Sequence, residues 1–234
     1  MNVLNRISTG CRTIDKLLGG GVPSESITLI YGEAETGKTT LALQCTLACA
    51  RQGYKTLFVD CDGTFSARRL SQIASERFEE MAELIIFMRP NDFREQATVI
   101  DQLTDYVTKN FGLIVFDTFN SLYRLRIAES PSRTFELNRE LNRQLAVLAQ
   151  LAKTQKIAVL ITSQVHSVLN AIPVTVEPVA TRVLKFWADT VIAIKPTENV
   201  KMINMTLEKN PQKLPSRTCS LRIEETGIRE YSTH

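Results

Sequence analysis

Residues Ser26–Thr40 read SITLIYGEAETGKTT, and the fold follows from them. Ser26–Tyr31 is a short apolar run ending at a glycine, which suits a strand buried on both faces of a parallel sheet. Gly32-Glu33-Ala34-Glu35-Thr36-Gly37-Lys38-Thr39 then fits GxxxxGK[ST] throughout. Lys38–Gln52 reads as a helix with apolar residues nearly all round, so a largely buried helix is expected. Strand, glycine loop and helix in that order make a phosphate-binding loop. Backbone N–H groups of the loop and of the helix N-terminus point at the anion. Gly32 and Gly37 permit conformations and approaches that a Cβ would hinder. Lys38 is expected beside the β and γ phosphates, and the Thr39 hydroxyl on Mg²⁺. Glu33 and Glu35 are acidic, so their side chains are expected to point away.

Strands and helices alternate outward from this motif. Strands are predicted at Thr56–Asp60, Leu84–Met88, Leu113–Asp117 and Ala158–Ser163. Helices are predicted at Ala67–Arg77, at Asp92–Lys109 with Asp92 as N-cap, and at Thr134–Lys153. In the last, Leu137, Leu141, Leu145, Leu148 and Leu151 share one face. This is α/β patterning: a mostly parallel twisted sheet with helices on both faces. Beyond Val165 the pattern changes. Val191–Lys195, Met202–Glu208 and Thr218–Glu224 read as consecutive strands, an antiparallel extension on the sheet edge. No repeat or flexible linker interrupts the chain, so residues 1–234 are expected to form one domain.

Two strands end in carboxylates. Asp117 closes LIVFD, placing an acid where a Mg²⁺-linked water is needed, beyond the carboxyl end of a parallel strand. Asp60 and Asp62 close VDCD: one of them could orient a water as general base, or the pair could simply form the turn before Gly63. Gln164 follows the fifth strand, where a neutral amide could touch a γ phosphate.

The net charge of +3 is too small to identify a nucleic-acid partner. Its distribution says more: Lys201, Lys209, Lys213, Arg217 and Arg222 lie in one stretch against Glu208 alone, and Arg124 and Arg126 follow the Asp117 strand. These residues suit either a phosphate-tracking surface or a charged, solvated sheet edge. Five cysteines without a CxxC pair read as buried small hydrophobes. No signal-peptide pattern and no run of membrane-spanning length is present, which makes the cytoplasm the expected location.

The motifs in this order resemble the RecA superfamily core. ISTGCRTIDKLLGGGV, VDCDGTFSARRL, LIVFDTFNSLYR and VLITSQV are similar to segments of archaeal and eukaryotic recombinases. Within that group, PNDFREQATVI, EETGIRE and the six residues before ISTG resemble the short archaeal RadB family. The resemblance covers nearly the whole chain and implies a RecA-like P-loop ATPase core without the N-terminal helical DNA-binding domain. It implies ATP and Mg²⁺ as cofactors, with Gly32–Thr40 on the triphosphate, Asp117 supporting the metal, Arg69 packed on adenine and Gln164 as sensor. It implies DNA as partner, single strands ahead of duplex, together with another recombinase or a recombination nuclease and possible self-association. Two disordered loops, near Arg124–Arg133 and Ser167–Ala180, would line the DNA path.

The departures from the pattern are specific. Asp62 stands where the family has a catalytic glutamate, one methylene shorter. The second loop has no Lys or Arg and lacks the glycine pair of strand-exchange enzymes. Lys209 falls where those enzymes tend to carry an aspartate. The expectation is therefore an ATP- and DNA-binding accessory of recombination and repair with weak ATPase activity. The alternative is a RecA-fold regulator or interaction module that does not bind DNA.

Overall fold

The computed structural model describes residues 4–74, 78–165, 176–212 and 215–231, with backbone alone at 176–179. Six strands form the parallel part of one sheet: β3 (Ser26–Gly32), β4 (Lys55–Asp60), β5 (Ile85–Met88), β6 (Phe111–Asp117), β7 (Ala158–Gln164) and β8 (Thr190–Pro196). Three more extend it antiparallel: β9 (Met202–Lys209), β10 (Arg217–Glu224) and β11 (Gly227–Glu230). The order is β11-β10-β9-β8-β3-β7-β6-β4-β5. A separate two-stranded ribbon pairs β1 (Arg6–Ile7) with β2 (Val22–Pro23).

Helices cover both faces. On one lie α1 (Arg12–Leu17), α2 (Lys38–Arg51), α3 (Ala67–Ala74) and α4 (Phe78–Ala82), around Leu41, Leu43, Leu47 and Phe58. On the other lie α5 (Phe93–Tyr106), α6 (Ser121–Glu129), α7 (Thr134–Gln155) and α8 (Val176–Trp187), around Leu141, Leu145, Leu148 and Phe116. The α2 helix is buried at every position from Leu41 to Ala50, as its all-round apolar pattern requires. Asp92 caps α5, its Oδ1 accepting from the Glu95 amide at 2.7 Å.

The structure corrects three expectations. First, β8 is not part of the antiparallel extension, because it pairs parallel with β3 from Thr28↔Thr190 to Gly32↔Ile194. Lying between β3 and β9, with both faces covered, it is apolar at every position from Val191 to Ile194, and such a run carries no sign of strand direction. Second, Arg124–Arg133 is not an irregular loop. The α6 helix holds Leu122, Tyr123 and Ile127 buried on the α5–α7 side, and Pro131 then opens a 3-10 turn to Arg133. Tyr123 packs edge-on against Phe93 at 5.6 Å and donates its hydroxyl hydrogen to Asn138. Third, α8 and β11 were not foreseen. Ala180, Leu184 and Ala188, spaced by four, seat α8 in the core. The second loop expected near Ser167–Ala180 lies outside the described residues up to position 175.

Candidate nucleotide-binding site

Parallel pairing brings the carboxyl ends of four strands to one edge of the sheet. Gly32 of β3 is in register with Gln164 of β7, and Asp60 of β4 with Asp117 of β6. The phosphate-loop sequence leaves β3 at this edge and enters α2 at Lys38. Gly32 is required by packing: a Cβ there would sit 2.2 Å from the Ile194 carbonyl oxygen of β8. Gly37 is the N-cap of α2 with φ of +83°, and Glu35 is also left-handed at +60°. Left-handed residues within a turn direct backbone N–H groups into a concavity suited to anions.

Lys38 is 7% exposed. Its ammonium donates to the Glu33 carbonyl and, at 3.4 Å, to the Thr36 hydroxyl. Burial pulls its pKa down, opposed by the charges of Asp117, Asp62 and Glu33. Glu35 is exposed, and Glu33 is half-buried with a charge that acts on Lys38. Thr36 is buried and its hydroxyl donates to the Glu33 carbonyl at 2.9 Å, bracing the loop. Ala34 is exposed, and Thr39 and Thr40 are half-buried in the first turn of α2.

Asp117 is 1% exposed. Desolvation raises its pKa to about 6, the hydroxyls of Thr162 and Thr39 act to lower it, and the charges of Asp62 and Asp60 raise it further. The Thr162 hydroxyl donates directly to Asp117 Oδ1. Sequence reading missed Thr162; the signal was a polar residue inside the apolar strand AVLITSQ. A buried carboxylate coupled to a hydroxyl is a donor set for a hard divalent cation that keeps most of its ligands from water and phosphate. Among the described residues there is no group of three or more His, Cys, Asp or Glu side chains that could hold a metal ion. The site thus has the side chains for a magnesium–triphosphate: buried ammonium, anion-facing helix N-terminus, and a hydroxyl–carboxylate pair.

The structure divides the Asp60–Asp62 pair. Asp60 is the turn former, accepting from the amides of Gly63 at 2.9 Å, Thr64 at 3.2 Å and Phe65 at 3.3 Å. Asp62 is half-buried and its charge reaches both Lys38 and Asp117. Its Oδ1 already accepts from the Thr64 amide at 3.1 Å and hydroxyl at 2.6 Å. Gln164 is level with Gly32, and its carbonyl accepts from the buried Asn120 amide at 3.4 Å. Asn120 too was missed, because only the β6–β7 pairing brings the two together.

Arg69 on α3 does not stand free. Its guanidinium donates to the Glu225 carbonyl at 2.6 Å and the Glu224 carbonyl at 2.8 Å. These belong to the β10–β11 turn, whose flanking Ile223 and Ile228 come within 3.1 and 3.3 Å of an ideal Cβ on Gly37.

Among the described residues of the basic stretch, Lys209, Arg217 and Arg222 do not share one surface. Lys209 donates to the carbonyls of Ala188 at 2.6 Å, Lys185 at 3.3 Å and Phe186 at 3.5 Å, closing the C-terminus of α8 as a cap. Arg217 and Arg222 are both exposed but five residues apart on β10, so they project to opposite faces. Arg222 shares the outward face with Thr218 and Ser220 and lies 3.9 Å from Glu224. Lys213 lies outside the described residues. Arg124 is half-buried on α6, and Arg126 pairs with Glu129 at 3.1 Å. The cysteines behave as expected: four are buried, Cys219 is partly so, and burial pushes the Cys49 thiol up to about 11.

A family model described as Rad51 matches residues 2–231. The chain belongs to the Rad51 family. Within it the resemblance is to the RadB branch. The DNA repair and recombination protein RadB of Thermococcus gammatolerans is 36% identical over 231 residues, 97% of this chain and 99% of that protein. The RadB of Methanococcus maripaludis is 30% identical over 215 residues, 92% of this chain and 96% of the relative. A solved structure described as the RadB recombinase superposes with a TM-score of 0.80 at 31% identity, covering 97% of this chain and all of that one. The RecA-like sheet read from the Ser26–Thr40 motif is thereby the family fold. Among the described residues no helix is long and apolar enough to cross a membrane.

Proposed function

We propose that this chain is an ATP- and DNA-binding accessory of homologous recombination and DNA repair, in which nucleotide binding matters more than rapid turnover. The observation that carries the nucleotide half is the convergence of Lys38, Thr39 and Asp117 at the carboxyl edge of β3 and β6. In this reading loop amides and Lys38 bind the triphosphate, while Thr39 and Asp117 hold its Mg²⁺. Bound magnesium supplies positive charge to the phosphate oxygens. Asp62 holds the attacking water, and Gln164, level with Gly32, senses the terminal phosphate. Turnover is slow in this reading because Asp62 is short and its Oδ1 is engaged by Thr64 twice. A general base misplaced by about 1 Å loses on the order of a hundredfold in rate.

The DNA half is supported by family membership and by exposed Arg222 and Arg217. DNA contacts from Arg124, Arg126 and Lys213 remain part of the proposal. Lys209 is the weakest of the set, since α8 occupies it. The chain in this reading is one ATPase core, working in the cytoplasm beside another recombinase or a recombination nuclease. The split basic stretch favours a second reading, a nucleotide-dependent interaction module that leaves DNA to its partner.

Filter binding to single-stranded DNA over a salt series, with and without ATP and Mg²⁺, separates the two. Salt-sensitive binding supports the first reading. Its absence at low salt, alongside ATP binding that Lys38→Ala abolishes, supports the second. ATP binding retained in Lys38→Ala would remove the nucleotide assignment from both.

A further inference from the structure

Two glutamines are fully buried between helices, Gln96 on α5 and Gln144 on α7. Burying an amide is unfavourable unless its polar atoms are bonded. Gln96 Nε2 donates to Gln144 Oε1 at 2.9 Å and to the Phe119 carbonyl at 3.3 Å. Gln144 Nε2 donates to Glu140 Oε1 at 3.2 Å. Glu140 is partly exposed, and Arg143 holds it through Nη2 at 2.7 Å and Nε at 2.9 Å. The same guanidinium grips Asp101 of α5 at 2.6 and 3.1 Å. An unbroken line of donors and acceptors thus runs from the surface between α5 and α7 to the backbone of Phe119.

Phe119 stands two residues past Asp117. Its amide donates to the Thr162 carbonyl at 3.0 Å, and the hydroxyl of that same threonine donates to Asp117 Oδ1. The next residue, Asn120, is buried and donates to the Gln164 carbonyl at 3.4 Å. The segment that Gln96 grips therefore carries Asp117 at one end and touches the end of β7 at the other.

The line runs in one direction only. An ionised carboxylate accepts and cannot donate. Gln144 has to turn its NH2 group to Glu140, which leaves its oxygen facing Gln96. Gln96 then has to present its own NH2 group, which suits both the Gln144 oxygen and the Phe119 carbonyl. Half a turn of either amide sets oxygen against oxygen. The arrangement leaves the Gln96 oxygen buried without a hydrogen-bond partner among the described residues. An unpaired buried oxygen is unfavourable, so the orientation is imposed on Gln96 by its neighbours.

We propose that Gln96 is a positioning residue for the Asp117–Asn120 segment, and that Glu140 fixes its direction through Gln144. The brace comes from the sheet face opposite α2, away from the phosphate loop. Its bearing on nucleotide rests on the ATP reading above.

The test is amide hydrogen exchange by NMR on the ligand-free full chain, in Glu140→Ala, Gln96→Leu and the double variant. The readout is the exchange rate at the Phe119 amide relative to the core amides of β6, so that a general loosening cancels. Glu140→Ala leaves the Arg143–Asp101 pair in place, yet it should raise that relative rate about fivefold, the scale of one net hydrogen bond. Gln96→Leu should give the same rise, and the double variant no more than either, because both act through one bond. Mg·ATP affinity should fall about threefold in all three, with ATP affinity in EDTA moved less than about twofold. A wild-type relative rate in Glu140→Ala overturns the proposal. So do effects that multiply in the double variant, since Glu140 would then not act through Gln96. Wild-type Mg·ATP affinity in a Glu140→Ala protein with a loosened Phe119 overturns the role at the site. Should Gln96→Leu not fold, Gln144→Leu takes its place in the same cycle with the same expectations. Wild-type protein that fails to bind Mg·ATP removes the ATP reading itself, and exchange at Phe119 still decides the brace.

Discussion

Asp117→Asn is expected to stabilise the ligand-free protein and to weaken its nucleotide binding. Burial raises the Asp117 pKa from 3.8 to about 6. Two units at about 1.4 kcal/mol each make the charged form roughly 3 kcal/mol costlier folded than unfolded. The sign follows from linkage. A carboxyl whose folded pKa is raised contributes its stability in full below the unfolded pKa and loses it as pH rises through the folded value. Ligand-free wild-type protein should therefore lose up to about 3 kcal/mol between pH 4 and pH 7 from this group alone. Asparagine can accept the Thr162 bond without the charge. The variant should show a flatter stability–pH profile and, at pH 7, a melting temperature higher by about 5 °C or more. With Mg·ATP the order should reverse, because the cation needs the carboxylate. Wild type should gain stability from ligand at pH 7.5 and lose most of that gain below pH 6, while Asp117→Asn gains little at either pH. Thermal melts across pH 4–8, with and without Mg·ATP, measure all four states. An Asp117→Asn protein with the wild-type pH profile when ligand-free would refute the reasoning, since the charge would then not be the costly group.

Gly32→Ala should destabilise the protein by about 2–3 kcal/mol in denaturant titration, because its Cβ at 2.2 Å from the Ile194 carbonyl forces β3 and β8 apart; a neutral result would mean the strands can slide. Lys209→Ala should cost about 1 kcal/mol of stability through loss of the α8 cap while leaving DNA affinity near wild type, and Arg222→Ala should do the opposite. Melting curves paired with filter binding separate these effects, and a DNA defect in Lys209→Ala would return that residue to the DNA surface. Asp62→Glu should raise steady-state phosphate release by on the order of tenfold, since the longer arm reaches further past Thr64; a flat rate would exclude Asp62 as the group that orients water.

Much of this protein was determined by local sequence, for a local reason. The phosphate loop is contiguous, so SITLIYGEAETGKTT alone fixed strand, loop and helix in order and placed Lys38 and Thr39 at a helix start. Asp92 capped α5 as read, and Asp117 closed its strand as read, because caps and strand ends are made by neighbours along the chain. What only the tertiary structure decided are relations between strands and helices far apart in sequence. The direction of β8 could not be read from VIAI, since a strand covered on both faces shows no alternation. Asp60 and Asp62 looked alike in VDCD until the fold gave Asp60 the amides of Gly63, Thr64 and Phe65 and set the Asp62 charge where it acts on Lys38. Five basic residues lie in one stretch of the sequence, which suited either a phosphate-tracking surface or a charged sheet edge. The fold gave Lys209 to the end of α8, sent Arg217 and Arg222 to opposite faces, and brought Arg69 to a turn 155 residues away, because side-chain direction depends on strand register and on what packs alongside.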